Sequence, residues 1–143
     1  MMTVLQANND DYVDDCSVEF IIDAMNRALA SRSPYHASVW YGDVSSESPL
    51  LSFACVPNAG VYVSVNLRHS SKIFLNSDDF HQTYKFNWGE DIIFIPHAYI
   101  TDSAVAASVF RTFCETGDVA ADTRWRDIST LEWDPWEPPE HCK

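Results

Sequence analysis

Cys114 and Glu115 stand side by side in the stretch VFRTFCETG, and a cysteine next to an acidic group raises the question of nucleophilic catalysis. A catalytic cysteine needs a lowered pKa, which a helix N-terminus or a neighbouring cation supplies. Cys114 lies near the predicted end of a helix, where the helix dipole disfavours a thiolate, and its neighbour is an anion. We therefore interpret Cys114 as a packing residue, since a free cysteine behaves as a small buried hydrophobe.

The five histidines are the next candidates for chemistry: His36, His69, His81, His97 and His141. No two of them have the i, i+4 spacing of helical metal ligands, and no Cys-x-x-Cys motif accompanies them, so we predict neither a metal nor a cofactor. Active sites nevertheless assemble from distant residues. A small hydrolase or transferase that uses His69 or His81 with a nearby carboxylate therefore stays open as an alternative function.

A third set of residues combines aromatic rings with carboxylates. Three rings alternate along one predicted strand, and an acidic pair stands on each side of it. In one interpretation the rings belong to the core and the acids to ordinary turns. In the other, part of the set binds a partner, because aromatic residues are frequent hot spots and acidic groups steer a basic partner. The candidate partner-binding residues are Asp78, Asp79, Tyr84, Trp88, Glu90 and Asp91.

Two amphipathic helices are predicted around these residues. Residues 16–32 place Val18, Ile21, Ile22, Met25 and Leu29 on one stripe, and Pro34 ends the segment. A second helix begins near Thr101 or Asp102, either of which can cap its free N–H groups. It ends at Gly117, which has the position of a left-handed terminating residue.

Short segments rich in β-branched and aromatic residues predict the strands. Residues 36–42, 50–56 and 61–67 read as an antiparallel meander, and the third segment alternates cleanly between apolar and polar residues. The stretches SKIFL, YKFNW and DIIFIPH supply up to three more strands, and TRWRDI a last short one. We predict an α+β fold in which an antiparallel sheet of about five to six strands packs against two α-helices.

The whole chain, residues 1–143, is predicted to be a single domain, since 143 residues suffice for one core. Residues 1–15 form a polar N-terminal segment in this prediction, and residues 129–143 form an extended C-terminal tail. The tail is rich in proline and contains Trp133 and Trp136. Neither a repeat nor a linker in the sequence indicates a second domain.

The charge of the chain bears on its partners. Nine Lys and Arg against 21 Asp and Glu give a net charge of −12, which repels nucleic-acid phosphates and favours a basic partner. The chain has only four glycines, which are too few and too scattered for a glycine-rich phosphate-binding loop. Because neither a signal peptide nor a membrane-spanning run is apparent, we expect a cytosolic protein with reduced cysteines.

The chain resembles the Imm1 family of immunity proteins, which neutralise bacterial polymorphic toxins. The resemblance is clearest over residues 95–128 and extends loosely over residues 36–128. Its matching residues are Ile95, Pro96, Ala106, Phe110, Phe113, Thr116, Gly117 and Trp125, with weaker matches at Val61, Tyr62, Phe74, Ser77 and Asp78.

The resemblance implies a non-catalytic inhibitor in the bacterial cytoplasm whose toxin partners include nucleic-acid deaminases, with a cytosine deaminase as the first expectation. An acidic protein can occupy the basic cleft of such a toxin by presenting carboxylates where phosphates would lie. Direct binding of nucleic acid or of a membrane is not expected. Besides the enzyme alternative, a small-molecule-binding adaptor domain remains a third hypothesis.

Overall fold

A computed structural model describes residues 3–8, 11–121 and 124–129 of the protein. The described part contains ten strands and two α-helices, and the predicted α+β class is confirmed, with more strands than the five or six expected. In chain order the elements are β1 Thr3–Ala7, β2 Tyr12–Val13, α1 Val18–Ser31, β3 Tyr35–Tyr41, β4 Leu50–Val56, β5 Gly60–Leu67, β6 Ser70–Phe74, β7 Thr83–Trp88, β8 Asp91–Pro96, β9 Ile100–Thr101, α2 Ser103–Thr116 and β10 Trp125–Asp127.

The described strands form two antiparallel sheets. The main sheet has eight strands in the order β10-β6-β5-β4-β3-β1-β2, and β9 adds to β5. Strands β3 to β5 form the antiparallel meander that the sequence predicts, and β6 extends it by one strand. Strands β7 and β8 pair only with each other and form a separate two-stranded sheet, which we call the hairpin.

The main sheet has two different faces. On the front face, Val61, Val63 and Val65 of β5 join a core with the apolar stripes of α1 and α2, in which Phe53 packs against Phe110 with ring centroids 4.7 Å apart. On the back face, a second core lies between the sheet and the hairpin. The alternation along β5 therefore separates two cores, because successive strand residues point to opposite faces.

Both helices begin and end as the sequence indicates. The Ser17 hydroxyl accepts a hydrogen bond from the N–H of Phe20 (3.2 Å) at the start of α1. The carboxylate of Asp102 accepts one from the N–H of Val105 (2.8 Å) at the start of α2. Gly117 has a φ of 71° at the end of α2, which only glycine adopts without strain.

The N-terminal segment contains two strands that the sequence analysis did not predict, β1 and the two-residue β2 that pairs with it. Strand β1 pairs with β3 and is buried at Thr3, Val4 and Leu5. The two adjacent apolar residues Val4 and Leu5, followed by an aspartate-rich stretch, do not show the alternation that predicts a strand. These residues are buried because β1 pairs with β3. The predicted C-terminal tail lies outside the described residues except for Ser129, whose hydroxyl accepts a hydrogen bond from the N–H of Ser71 (2.7 Å).

Candidate functional site

The hairpin carries most of the candidate partner-binding residues. Trp88 pairs with Asp91, which leaves Gly89 and Glu90 as a two-residue turn. Gly89 has a φ of 62°, and glycine is the residue that a type II′ turn favours at its first central position. The acidic groups of Glu90 and Asp91 are exposed at this turn.

The inner face of the hairpin packs onto the back face of the main sheet. Phe86 is only 2 % exposed, and the Trp88 ring stacks on His36 of β3 with centroids 5.0 Å apart. Trp88 also meets Tyr62 of β5 edge-on at 6.1 Å. Side chains thus hold the hairpin to the main sheet without strand pairing, and the half-buried rings of Tyr84 and Trp88 belong to this packing layer.

The loop before the hairpin holds the other acidic pair. One carboxylate oxygen of Asp79 accepts hydrogen bonds from the N–H groups of His81 (3.0 Å) and Gln82 (3.2 Å). The N–H groups of Gln82 and His81 lower the pKa of Asp79, because they stabilise its charged form. Asp78 is exposed and lies 3.5 Å from the guanidinium of Arg124.

Tyr84 lies between the two acidic pairs. Its hydroxyl and the Nδ1 atom of His97 are 3.0 Å apart, which ties β7 to the turn that follows β8. Asp78 and Asp79 precede the open end of the hairpin, whereas Glu90 and Asp91 form its turn. The structure therefore places four of the six candidate residues on the hairpin and the other two, Asp78 and Asp79, in the loop before it. The two acidic pairs lie towards opposite ends of strands six residues long.

The outer face of the hairpin contains residues that the sequence analysis missed. Ile92 is 59 % exposed and Phe94 is 56 % exposed, and they stand opposite Asn87 and Lys85. We call these four residues the outer face. Pairing across the two-residue turn at Gly89 implies this arrangement, since it puts Ile92 and Phe94 on the face that Trp88 does not occupy.

The described cysteines are packing residues. Cys114 packs against the front core, and desolvation by burial raises the pKa of its thiol to about 11. Burial likewise raises the pKa of Cys55 to about 12 and that of Cys16 above its ordinary value. All three sites disfavour the thiolate that nucleophilic catalysis requires.

The histidines of the alternative function lie in exposed loops. His69 is in the turn between β5 and β6, and His81 is in the loop before β7. His81 lies next to a carboxylate, because Asp79 accepts its backbone N–H. Within residues 3–8, 11–121 and 124–129, no three side chains of His, Cys, Asp or Glu are grouped as a metal site.

His36 gives the first prediction, on pH. Its ring is buried between the main sheet and the hairpin, and burial lowers its pKa below 6.5. As the pH falls below 6.5, the unfolded chain binds a proton that the folded protein resists, so this contribution to stability is present above 6.5 and is lost towards lower pH. We expect the free energy of unfolding in urea to decrease from pH 7.5 to pH 5.5.

A variant without the titrating group provides the control for this prediction. His36→Phe can still stack on Trp88, and carboxylates titrate equally in both proteins. The free energy of unfolding should therefore depend less steeply on pH in the variant. Equal slopes in the two proteins would show that the ring of His36 does not couple to folding.

The open end of the back face contains a cavity of about 660 Å³. It lies beside the loop between β3 and β4, at the end of these strands that the hairpin does not cover. The residues at its border include Trp40, Glu47, Leu50, Asn66 and Arg68. The cavity thus joins an aromatic and aliphatic surface to hydrogen-bonding groups and one charge of each sign.

No protein-family model and no curated protein sequence matches this chain. The resemblance to the Imm1 immunity proteins therefore stays a prediction. The two α-helices in the described part of the chain are 14 residues each, and neither has the length and apolar character to cross a membrane.

Proposed function

We propose that this protein is an immunity protein that binds a bacterial toxin and blocks its basic substrate cleft. The toxin that we propose is a nucleic-acid-modifying enzyme, specifically a cytosine deaminase, and the immunity protein acts in the bacterial cytoplasm without catalysing a reaction. The observation that carries this proposal is the outer face. Two exposed apolar side chains, Ile92 and Phe94, follow directly on the exposed carboxylates of Glu90 and Asp91 on one hairpin.

The outer face has the chemistry of a binding surface. Exposed aliphatic and aromatic side chains that stand together mark interaction sites more often than isolated ones do. Ile92 and Phe94 both lie on a strand that the packing of Phe86 and Ile95 holds in place. A partner that covers them therefore orders little further backbone, which keeps the entropic cost of association low.

The charge supports a basic partner. The net charge of −12 attracts a basic toxin over a distance, and carboxylates at the turn can stand where substrate phosphates would lie. Lys85 adds one positive charge beside Phe94. In this proposal, long-range attraction sets the rate of association and the apolar pair sets the lifetime of the complex.

Purification together with the product of the neighbouring gene tests the proposal. The expected result is a stable complex with a basic toxin whose activity falls as the immunity protein is added. For a cytosine deaminase, the readout is the conversion of cytosine to uracil in single-stranded DNA. If the neighbouring gene encodes no toxin and the protein retains no basic partner, the proposal fails.

Reversal of the acidic pair in the loop gives a kinetic prediction. Asp78→Lys with Asp79→Lys should slow association with the toxin about tenfold at low ionic strength and flatten its salt dependence, because steering charges are removed. Asp78→Lys alone should show a smaller effect in the same direction. This single variant is needed because the carboxylate of Asp79 also holds the backbone of its loop.

The matched control reverses two exposed aspartates elsewhere. Asp14→Lys with Asp15→Lys makes the same change in net charge in the turn before α1. If both double variants slow association equally, the net charge steers the toxin and the loop has no special part. If the variants at Asp78 and Asp79 associate at the unchanged rate, that loop lies outside the binding site.

Two alternatives have specific observations in their favour. The cavity beside Trp40 favours a small-molecule-binding adaptor, for which a ligand would raise the melting temperature while no protein partner is retained. The hydrogen bond from the backbone N–H of His81 to the carboxylate of Asp79 puts an acidic group near this histidine, as a small hydrolase or transferase would require. Under that alternative, His81→Ala abolishes a measurable turnover and leaves folding intact, and His69→Ala tests the other histidine in the same assay.

A further inference from the structure

The outer face is small for the interface that an immunity function needs. It consists of the four side chains of Lys85, Asn87, Ile92 and Phe94. A stable complex buries about 800 Å² on each partner and involves roughly 20 to 30 residues on each side. The contact with the toxin must therefore continue onto neighbouring surface, and the shape of the molecule beside β7 indicates the direction.

Two adjoining hollows continue the outer face towards α1. The first, of about 280 Å³, lies between β7 and the loops that hold Pro34 and Pro57, and Lys85 and Asn87 form part of its wall. The second, of about 390 Å³, lies against α1. Its wall includes Ala24, Ala28, Ser31 and Tyr35, and Pro34 borders both hollows. The outer face and the two hollows thus form one continuous surface.

The hollows differ in chemistry from the acidic turn of the hairpin. Their walls contain alanine, proline and aromatic carbon from Phe86 and Tyr35. The charged groups around them are mainly positive: Lys85 lines the first hollow, and Arg27, which pairs with Asp23, lines the second. A basic group of the toxin is therefore disfavoured there. Burial of an apolar group in such a hollow lowers the free energy of binding by about 25 cal/mol per Å². Burial of an unpaired charge raises it, because the charge loses its hydration.

We infer that the toxin contacts the whole of this surface and fills the two hollows with apolar side chains, while its basic groups face Glu90 and Asp91. The inference rests on the proposed immunity function and adds the extent and chemistry of the interface. It divides the surface into two parts, an acidic end at the hairpin turn and an apolar end at α1. Such an inhibitor recognises apolar side chains beside the substrate cleft in addition to imitating phosphate.

Filling the second hollow tests this inference. Ala24 is half-buried on α1, so Ala24→Trp puts a large ring into the hollow without replacing a core side chain. We expect at least a tenfold increase in Kd, mainly through faster dissociation, because a blocked contact shortens the lifetime of a complex. Ser108→Trp adds the same ring to an exposed position of α2 that borders neither hollow, and its Kd should stay within about twofold of the parent value.

Charged variants at the same position test the chemistry. If an apolar group of the toxin fills the hollow, Ala24→Glu and Ala24→Lys both weaken binding, since either charge is buried without a partner. If Ala24→Glu tightens binding and Ala24→Lys weakens it, a basic group occupies the hollow and the inference is wrong. Thermal unfolding of each variant establishes that the fold is intact before binding is measured.

The outcomes separate this inference from the proposed function. If every variant at Ala24 binds like the parent protein while Phe94→Ala weakens binding, the interface does not reach α1 but the proposed function stands. If the parent protein itself retains no toxin, the proposed function fails and this inference fails with it. If variants at both positions weaken binding and Ser108→Trp does not, the continuous surface is supported.

Discussion

Replacing Phe94 with alanine is expected to weaken toxin binding by about 2 to 4 kcal/mol, which is at least about 30-fold in Kd. Phe94 is 56 % exposed in the free protein, so the toxin can bury a large part of its ring. An aromatic ring that is largely exposed before binding and enclosed afterwards contributes more than most contacts in an interface. The loss should appear mainly in the dissociation rate, which surface plasmon resonance or stopped-flow competition can measure.

The same substitution should leave the fold almost unchanged. More than half of Phe94 is already exposed, so the free energy of unfolding should fall by only about 1 kcal/mol. Tyr12 provides a control, since it is 51 % exposed on β2, at the edge of the main sheet, and borders neither hollow. Tyr12→Ala should bind the toxin like the parent protein. If Phe94→Ala also binds the toxin like the parent protein, the outer face is not the binding surface.

Strong local patterns made most of the fold predictable from sequence. The alternation along β5 and the apolar stripes of α1 and α2 have clear periods of 2 and 3.6 residues, and Asp102 and Gly117 mark the ends of α2 chemically. These signals act within a few residues. They do not depend on which distant segment completes the sheet or the core.

The remaining elements depend on long-range pairing. Strand β1 lies at Thr3–Ala7 because β3 accepts it as a neighbour, and β9 is a two-residue pairing with β5. The position of the hairpin outside the main sheet also depends on contacts between segments that are distant in the sequence. Sequence alternation predicts that β7 and β8 are strands, but the packing of Phe86 and Trp88 on the back face decides where they lie.

At the candidate site, the two-residue alternation of a strand predicts only part of the arrangement. The alternation correctly places Tyr84, Phe86 and Trp88 on one face of a strand, but it does not determine whether that face packs on the core or binds a partner. In the structure, Tyr84 and Trp88 pack in the layer between the hairpin and the main sheet, whereas Glu90 and Asp91 are exposed. The exposed apolar pair, Ile92 and Phe94, follows from combining the alternation with the turn at Gly89, a step that needs the pairing register.

Replacing Phe86 with alanine is expected to loosen the hairpin while the main sheet stays folded. Phe86 is 2 % exposed and lies at the centre of the layer that joins the hairpin to the back face. Its truncation should cost about 3 to 5 kcal/mol. A two-stranded hairpin is at best marginally stable by itself, so the loss of stability should make the hairpin unfold before the main sheet does. Amide hydrogen exchange should then accelerate in β7 and β8 more than in β4 and β5.

Phe110→Ala is the matched control, because Phe110 is 1 % exposed in the front core between α2 and the main sheet. It should accelerate exchange in β4 and β5 as well as in the hairpin, since the front core supports the whole sheet. If Phe86→Ala has the same uniform pattern, the hairpin and the main sheet unfold as one unit. If the pattern is local, the toxin must order the loosened hairpin of the Phe86→Ala variant on binding. Saturating toxin should then restore slow exchange in β7 and β8 of Phe86→Ala, at the cost of a higher Kd.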